Sequence, residues 1–538
     1  MSDLAQLASF TRRAAGTRAV GVLATPATLA LLPAADAQER ARLAAFAGEF
    51  AAFPAFHRKW RWNAMLQAQL AALLARLATQ EPEPGCVYLY LRGAFTKRYF
   101  PAPRTAALPP SEGRGCRAGT ADIDGALRAF GNASAQALVL QASPAGDHHH
   151  CYQPATGLLG IGRGGTDRQR MRGAVLEYCE RWAASIVPPG ACRARHVDLG
   201  TAAWRPDQVM AVPPAQAATL FPGFDPRRPM HWLPCRLVHA DTQRWLPLQM
   251  INYLLQPDQA FSHCQNSNGC ALGSSAMEAA LFGALELIER DALLLAWYSR
   301  STPPRFVAAS IDSAPLRQLH ALLELAGYTV CCFDITTEFA LPAVLVLLLG
   351  RGDERLGAFV TAACHPDPHE AMAAALGEAH SLAGITEHNL ARQRQRHGDG
   401  HLEHLRDSAQ AQYYGQHGQR RHFDFLANAT PTLAWRDFTA THAASAQAAL
   451  RGPAAAWDML CERALQAGFE PVVADVTPPG LCALGLHAAR VFMPGTLPLT
   501  FGDRPLCLPP GRLARAARHC PWVDANADLS HPLLHPLG

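Results

Sequence analysis

Apolar and polar positions change rhythm along this chain, and the changes mark out its elements. Residues 18–32 (RAVGVLATPATLALL) hold short apolar runs broken by proline, which predicts one or two strands. Ala, Leu, Gln and Arg then recur at helical spacing through 36–50 and 56–79. CVYLYLRGAF (86–95) alternates like a strand, and the Pro- and Gly-bearing stretch 102–119 is turn chemistry that closes a first unit, residues 1–130. No G-x-G-x-x-G follows a strand there, so a dinucleotide fold has no support at that end.

From about 135 the pattern becomes one of strands alternating with helices. Apolar runs at 135–141, 247–255, 329–335 and 342–350 predict strands; helical periodicity covers 167–185, 275–298, 314–327 and 369–385. That succession predicts an α+β fold, with mixed or antiparallel sheets layered by helices, over residues 135–515. Residues 393–422 are polar and basic with no apolar period, which predicts a mobile insertion. A helix at 444–467, a strand at 471–476 and a short basic helix at 511–518 resume the fold, and 516–538 form a Pro-rich tail.

Composition narrows the classes. The chain has 538 residues, enough for more than one domain, and a net charge of only +4 argues against nucleic acid or a membrane surface as partner. The opening MSDLAQLASF lacks the parts of a signal peptide, and the longest apolar run, around Phe339 to Leu349, is far short of the roughly 20 residues of a membrane span. A cytoplasmic protein is expected. Its 15 cysteines include no C-x-x-C, so structural zinc is not expected, and Cys331-Cys332 are predicted buried thiols. Asp147-His148-His149-His150-Cys151 sits among turn residues and is predicted to be a solvated loop, not a metal site.

The chemistry concentrates in GAVLEYCERW (173–182) and GALELIERDA (283–292). Each places two glutamates three apart, hence on one helix face, with arginine following. Carboxylates suit hard divalent cations and guanidinium suits phosphate. At about 100° per residue, Glu278, Glu286 and Glu289 share one stripe. Gln169, Glu177 and Glu180 repeat that spacing, and Glu370, Glu378 and Ser381 repeat it again with a hydroxyl last. Three matched stripes predict one shared polar pocket. GIGRGGTDRQ (160–169) and SNGCALGSS (267–275) lead into the first two helices, the former offering backbone N–H groups for phosphate and the latter an N-cap at Ser274 or Ser275.

GRGGTDRQRMRGAVLEYCER (162–181), SNGCALGSSAMEAALFGALELIERD (267–291), HPDPHEAMAAALGEAHS (365–381) and AARVFMPG (488–495) resemble, in content and order, the motifs of YcaO-domain proteins. The likeness covers roughly 150–510 and is most specific in the second block. It implies a YcaO-type fold binding ATP and Mg2+ between glutamate-bearing helices. The activity implied is phosphorylation of a peptide amide oxygen while a neighbouring Cys, Ser or Thr closes a thiazoline or oxazoline ring in a ribosomally made precursor. Position by position, Glu177, Glu180, Glu286 and Glu289 match the metal-chelating glutamates. Glu278 and Arg290 match nucleotide and phosphate contacts, Arg163 stands in place of a phosphate-facing lysine, and Arg490 matches a family arginine. The tail HPLLHPLG resembles that of azoline-forming members, which reaches the active site, so His535 or the Gly538 carboxylate is a candidate proton acceptor. Gly173, Ala374 and Ser381 depart from the serine, arginine and glutamine of the pattern. Thioamide or amidine formation, and a scaffold that binds without turnover, are the alternatives. The expected partners are the precursor peptide, a ThiF-like leader-binding protein docking on residues 1–130 (themselves an α/β interaction unit, a degenerate ThiF-like remnant), a flavin dehydrogenase, and a second copy of the chain.

Overall fold

The computed structural model describes residues 21–24, 29–32, 62–79, 86–91, 94–99, 139–142, 148–152, 158–163, 166–254, 258–259, 261, 266–398, 402–482, 485–502, 504–529 and 532–537. Near the N-terminus, β1 (Gly21–Ala24), β2 (Leu29–Leu32), β3 (Cys86–Leu91) and β4 (Ala94–Tyr99) pair antiparallel in that order. Helix α1 (Ala64–Thr79) packs Leu66, Leu70, Leu73 and Leu77 against Leu29, Leu31 and Tyr88, an i, i+4, i+7 stripe on an apolar sheet face. The helix expected at 36–50 and the turn at 102–119 lie outside the described residues.

Three more sheets follow. Strands β5 (Val139–Ala142), β6 (His148–Tyr152) and β7 (Leu159–Arg163) form an antiparallel sheet that receives helix α2 (Asp167–Ala183). A six-stranded sheet comprises β8 (Cys192–Ala194), β9 (Met230–Leu237), β10 (Thr242–Pro247), β11 (Cys270–Gly273), β17 (Val472–Asp475) and β18 (His487–Phe492). A five-stranded sheet comprises β12 (Arg305–Phe306), β13 (Tyr328–Asp334), β14 (Ala343–Gly350), β15 (Ala358–Cys364) and β16 (Pro431–Leu433). Pairing within these sheets is antiparallel except for β12 with β16. Strands β14 and β15 are buried at every position, as strands covered on both faces must be; the one hydroxyl, Thr361 of β15, donates to the Ala375 carbonyl.

Helix α3 (Ala276–Ser299) lies between the two large sheets, packed on β11 and β18 on one side and on β14 and β15 on the other. Its Leu281, Leu285 and Ile288 enter the largest core, shared with Leu345, Leu347 and Val360. Helix α4 (Ala314–Leu325) and the long α5 (Pro368–His397) cover the outer face of the five-stranded sheet, and α5 also reaches β7. The predicted α+β layering is therefore the observed one.

Four local expectations are corrected. The strand expected at 247–255 is instead the end of β10 followed by a helical turn, Leu248–Ile251, buried throughout; a four-residue apolar run carries no period that separates the two. The stretch 393–422, read as an insertion with no apolar period, carries helical structure where described. Helix α5 runs on to His397, helical turns occupy Leu405–Ser408, Gln410–Tyr414 and His417–Phe423, and Leu402, Leu405, Tyr414 and Phe423 are buried. The helix at 444–467 breaks at Gly452, where φ is +110°, into Ala443–Arg451 and α6 (Pro453–Gln466). The histidine run is a strand rather than a solvated loop, with His148 and His149 buried.

Candidate active site

Helices α2 and α3, whose glutamate pairs Glu177/Glu180 and Glu286/Glu289 each form a two-carboxylate claw, are entered in the same way, by a short strand that lies against the helix it feeds. Strand β7 touches α2 backbone to backbone. A Cβ at Gly162 would stand 1.7 Å from the Arg170 carbonyl oxygen, and one at Gly160 2.1 Å from that of Ala174. The glycines of the first lead-in thus serve this contact; Gly164 and Gly165 lie outside the described residues. At the second, Gly269 takes φ +78°, and a Cβ there would meet the Val491 carbonyl oxygen at 2.4 Å. Thr166 caps α2 in a reciprocal pair with Gln169, and Ser275 caps α3.

This close approach fixes the first glutamate of each claw. The Ile161 N–H donates to Glu177 Oε2 at 3.0 Å, and the Gly269 N–H donates to Glu286 Oε2 at 2.9 Å. The second glutamates, Glu180 and Glu289, keep an exposed edge yet are closely surrounded by protein. Burial pushes both carboxyls up to about 8. Arg181 opposes the rise at Glu180 while Glu286 and Glu177 add to it, and Arg490 opposes it again; Arg290 opposes it at Glu289 while Glu378 and Glu286 add to it. Glu286 on α3 thus bears on Glu180 of α2 as well as on its own neighbour Glu289. Arg290 contacts Glu289 at 2.5 Å and Glu286 at 3.7 Å, and Arg181 contacts Glu177 at 3.2 Å.

The third helix joins through Glu378, whose Oε1 lies 3.3 Å from Arg163 Nη1 on β7. The upper members of the stripes diverge. Gln169 and Glu370 are exposed, whereas Glu278 is buried, its Oε2 accepting from the Ser274 N–H and hydroxyl at 2.6 and 2.7 Å. Ala374 is exposed, and Ser381 turns its hydroxyl back to the Gly377 carbonyl oxygen at 3.1 Å.

Arg490 on β18 donates through Nη1 to the Asn266 carbonyl at 2.6 Å and to Cys270 Sγ at 3.0 Å. In the tail, His535 is fully buried, and its Nε2 accepts the Thr500 N–H at 3.1 Å. Burial and the nearby Arg290 charge bring this imidazole down to about 3, so it is neutral with that lone pair engaged. Trp297 Nε1 and Tyr414 Oη hold the Leu533 and Leu534 carbonyls, at 3.2 and 2.7 Å. Gly538 lies outside the described residues. Two participants escaped the sequence-based expectation. Tyr253 Oη accepts from Arg181 at 2.8 Å, and as one tyrosine in an apolar run it carries no pattern. Asp291, next to Arg290, accepts from the Leu497 N–H at 2.7 Å and pairs with Arg512, which also reaches Glu338 at 2.6 Å. The ERD sequence was its signal.

The donor set fits a chelated triphosphate. Arg163 and Arg290 each hold a buried Nε, and Glu278 a buried Oε1, without a hydrogen-bond partner among the described residues. Such groups are costly unless a ligand completes them. Among the described residues no three His, Cys, Asp or Glu side chains cage an ion by themselves. Mg2+ is commonly held by one or two carboxylates together with phosphate oxygens, so facing pairs suit it.

Facing carboxylate pairs ringed by guanidinium groups define a class of protein that handles a metal-chelated phosphate. The family described as YcaO cyclodehydratase, ATP- and Mg2+-binding, matches residues 161–497, and the chain belongs to it. ATP and Mg2+ are its cofactors. The fold is similar to that of a heterocyclase in complex with substrate and cofactor (TM-score 0.60, 18% identity, covering 91% of this chain and 75% of that one). It is also similar to YcaO from Methanopyrus kandleri bound with AMPPCP and Mg2+ (TM-score 0.50, 20% identity, 71% of this chain and 92% of that one). An uncharacterized protein in the tfuA 3′ region of Rhizobium leguminosarum bv. trifolii is 26% identical over 227 residues, 40% of this chain and 53% of that one. The chain spans about half the length of the curated relatives it matches. Among the described residues no helix is long and apolar enough to cross a membrane.

Proposed function

We propose that this chain activates peptide backbone amides and closes thiazoline or oxazoline rings on Cys, Ser or Thr of a ribosomally made precursor. What supports this is the convergence of the two glutamate pairs: Glu286 bears on both Glu180 and Glu289, Arg290 pairs with Glu289 and Glu286, and Arg163 pairs with Glu378. In this role the four glutamates hold Mg2+, and Arg163, Glu278 and Arg290 hold the nucleotide. Bound ATP with Mg2+ supplies the phosphoryl group that makes the amide oxygen a leaving group once the side chain has added to the carbonyl carbon. Arg290, kept charged by Glu289 and Glu286, neutralises negative charge developing at that oxygen. The neutral His535 anchors the tail beside Arg290 rather than taking a proton. Residues 1–130 are the docking unit for a ThiF-like leader-binding partner.

The test is phosphate release dependent on a precursor peptide. Glu286→Gln with Glu289→Gln is expected to lower it by about a hundredfold or more, the scale of one lost charge-stabilising group. Unchanged turnover would remove the claw from the mechanism. A second role, binding without turnover, draws on Ala374 and Ser381, which bring neither guanidinium nor carboxamide to the site. Mg2+-dependent ATP affinity without precursor-dependent phosphate release would favour it.

A further inference from the structure

Beside the claws lies a pocket of a different character. Met210, Met250, Phe261 and Phe492 line it with sulfur and aromatic carbon, and no carboxylate does. Four polar side chains also line it: Asn266 and Thr496 already bond the Leu499 and Met493 carbonyls, and Asn268 and Arg490 are 4% and 5% exposed. Asn268 Nδ2 and Arg490 Nε have no hydrogen-bond partner among the described residues. The other Arg490 donors are committed to Asn266 and Cys270, and its guanidinium stacks 5.2 Å from the Phe492 ring. Two unpaired N–H groups in apolar surroundings are costly until an acceptor arrives. A phosphate is a poor occupant, because thioether and aromatic walls would strip its hydration for the sake of one partly committed cation. A neutral acceptor oxygen carried beside an apolar side chain satisfies both halves of the lining.

Such a group is a peptide unit. The pocket is also where one would be needed. Asn268 precedes Gly269, whose N–H holds Glu286, and Leu287, which follows Glu286, lines the pocket as well. Resting on the amide-activating function above, the geometry points to this pocket as the seat of a substrate peptide unit. Its carbonyl oxygen accepts from Asn268 Nδ2 and Arg490 Nε, and its apolar side chain lies against Met210, Met250, Phe261 and Phe492. Arg490 thereby serves the peptide rather than the nucleotide.

The test uses the full chain with its 10 methionine methyls labelled for NMR. N-acetyl-leucyl-cysteine N-methylamide is titrated to about 20 mM, the range of weak single-unit binding, and AMPPCP with Mg2+ is titrated separately. The peptide is expected to shift the Met210 and Met250 methyls saturably. Asn268→Leu and Met210→Trp should each weaken that binding by about tenfold or more while changing AMPPCP affinity less than about twofold. Met210→Trp, at the half-exposed edge of the pocket, carries the test if Asn268→Leu fails to fold. Methyls unmoved by the peptide would overturn the assignment. So would an Asn268→Leu or Met210→Trp variant that loses nucleotide affinity in place of peptide affinity. If AMPPCP with Mg2+ fails to bind while the peptide still shifts both methyls, the pocket assignment stands and the amide-activating function falls.

Discussion

Glu177 and Glu286 show how a single carboxylate is held in place. Each spends one carboxylate oxygen on a backbone N–H of the preceding strand or turn, so its position is set by main chain rather than by rotamer choice. Gln at either position would keep the shape but lose the charge, which is why Gln variants test chemistry more cleanly than Ala. Buried histidines make a second prediction at this scale. His442 is held down to about 4 and His535 to about 3, chiefly by burial, against 6.5 in an unfolded chain. Both are neutral in the fold, so below about pH 6.5 the unfolded chain binds more protons than the folded one. Stability is then complete above that pH and declines as pH falls through 6.5 toward 4. Thermal melts from about pH 7.5 to 5 should show a falling Tm, and His442→Gln should flatten the slope. A slope that is the same in both proteins would rule His442 out as its source.

At the scale of elements, the recurring unit is a short strand laid on the helix it feeds, built once as β7–α2 and again as β11–α3. The unit depends on the absence of side chains where backbones touch. Gly162→Ala is expected to cost about 1–3 kcal/mol or more by overpacking and to lower nucleotide affinity by shifting Ile161 away from Glu177. Denaturant melts and calorimetry with AMPPCP would check both. Gly398→Ala, where nothing lies within 4 Å of a Cβ, is the control for packing, although its φ of +74° adds backbone strain of its own. These units explain what was legible beforehand. Apolar runs marked β13 and β14, and a three-four spacing marked α2, α3 and the start of α5, so the glutamate stripes could be phased from the sequence. What failed lacked a period. Leu402, Leu405, Tyr414 and Phe423 are buried at irregular intervals in single helical turns, and Leu248–Ile251 is too short to show a phase. Contacts between distant segments, such as Arg163 with Glu378 or Arg181 with Tyr253, leave no local trace at all.

For the whole molecule, α3 is the member on which the two large sheets converge. It separates the two large sheets, carries Glu286, Glu289 and Arg290 toward α2, and presents Asp291 to the C-terminal segment. Arg512 bridges Asp291 and Glu338 while all three are buried, and Leu497 donates to the same Asp291. Removing one partner of a buried ion pair strands the other, so Asp291→Asn should destabilise the fold by about 3–5 kcal/mol. Replacing Asp291, Glu338 and Arg512 together by apolar residues should recover much of that loss in chemical denaturation; no recovery would mean that packing, not charge, holds the segment. The backbone bonds to Glu177 and Glu286 carry a last consequence, for the choice of ion. With one oxygen already accepting a main-chain N–H, each carboxylate is poorly placed to act as a two-toothed ligand in the proposed role, the mode that large, highly coordinated calcium favours. Small octahedral ions need only one oxygen from each donor, so calcium should compete poorly with magnesium here even when it is in excess.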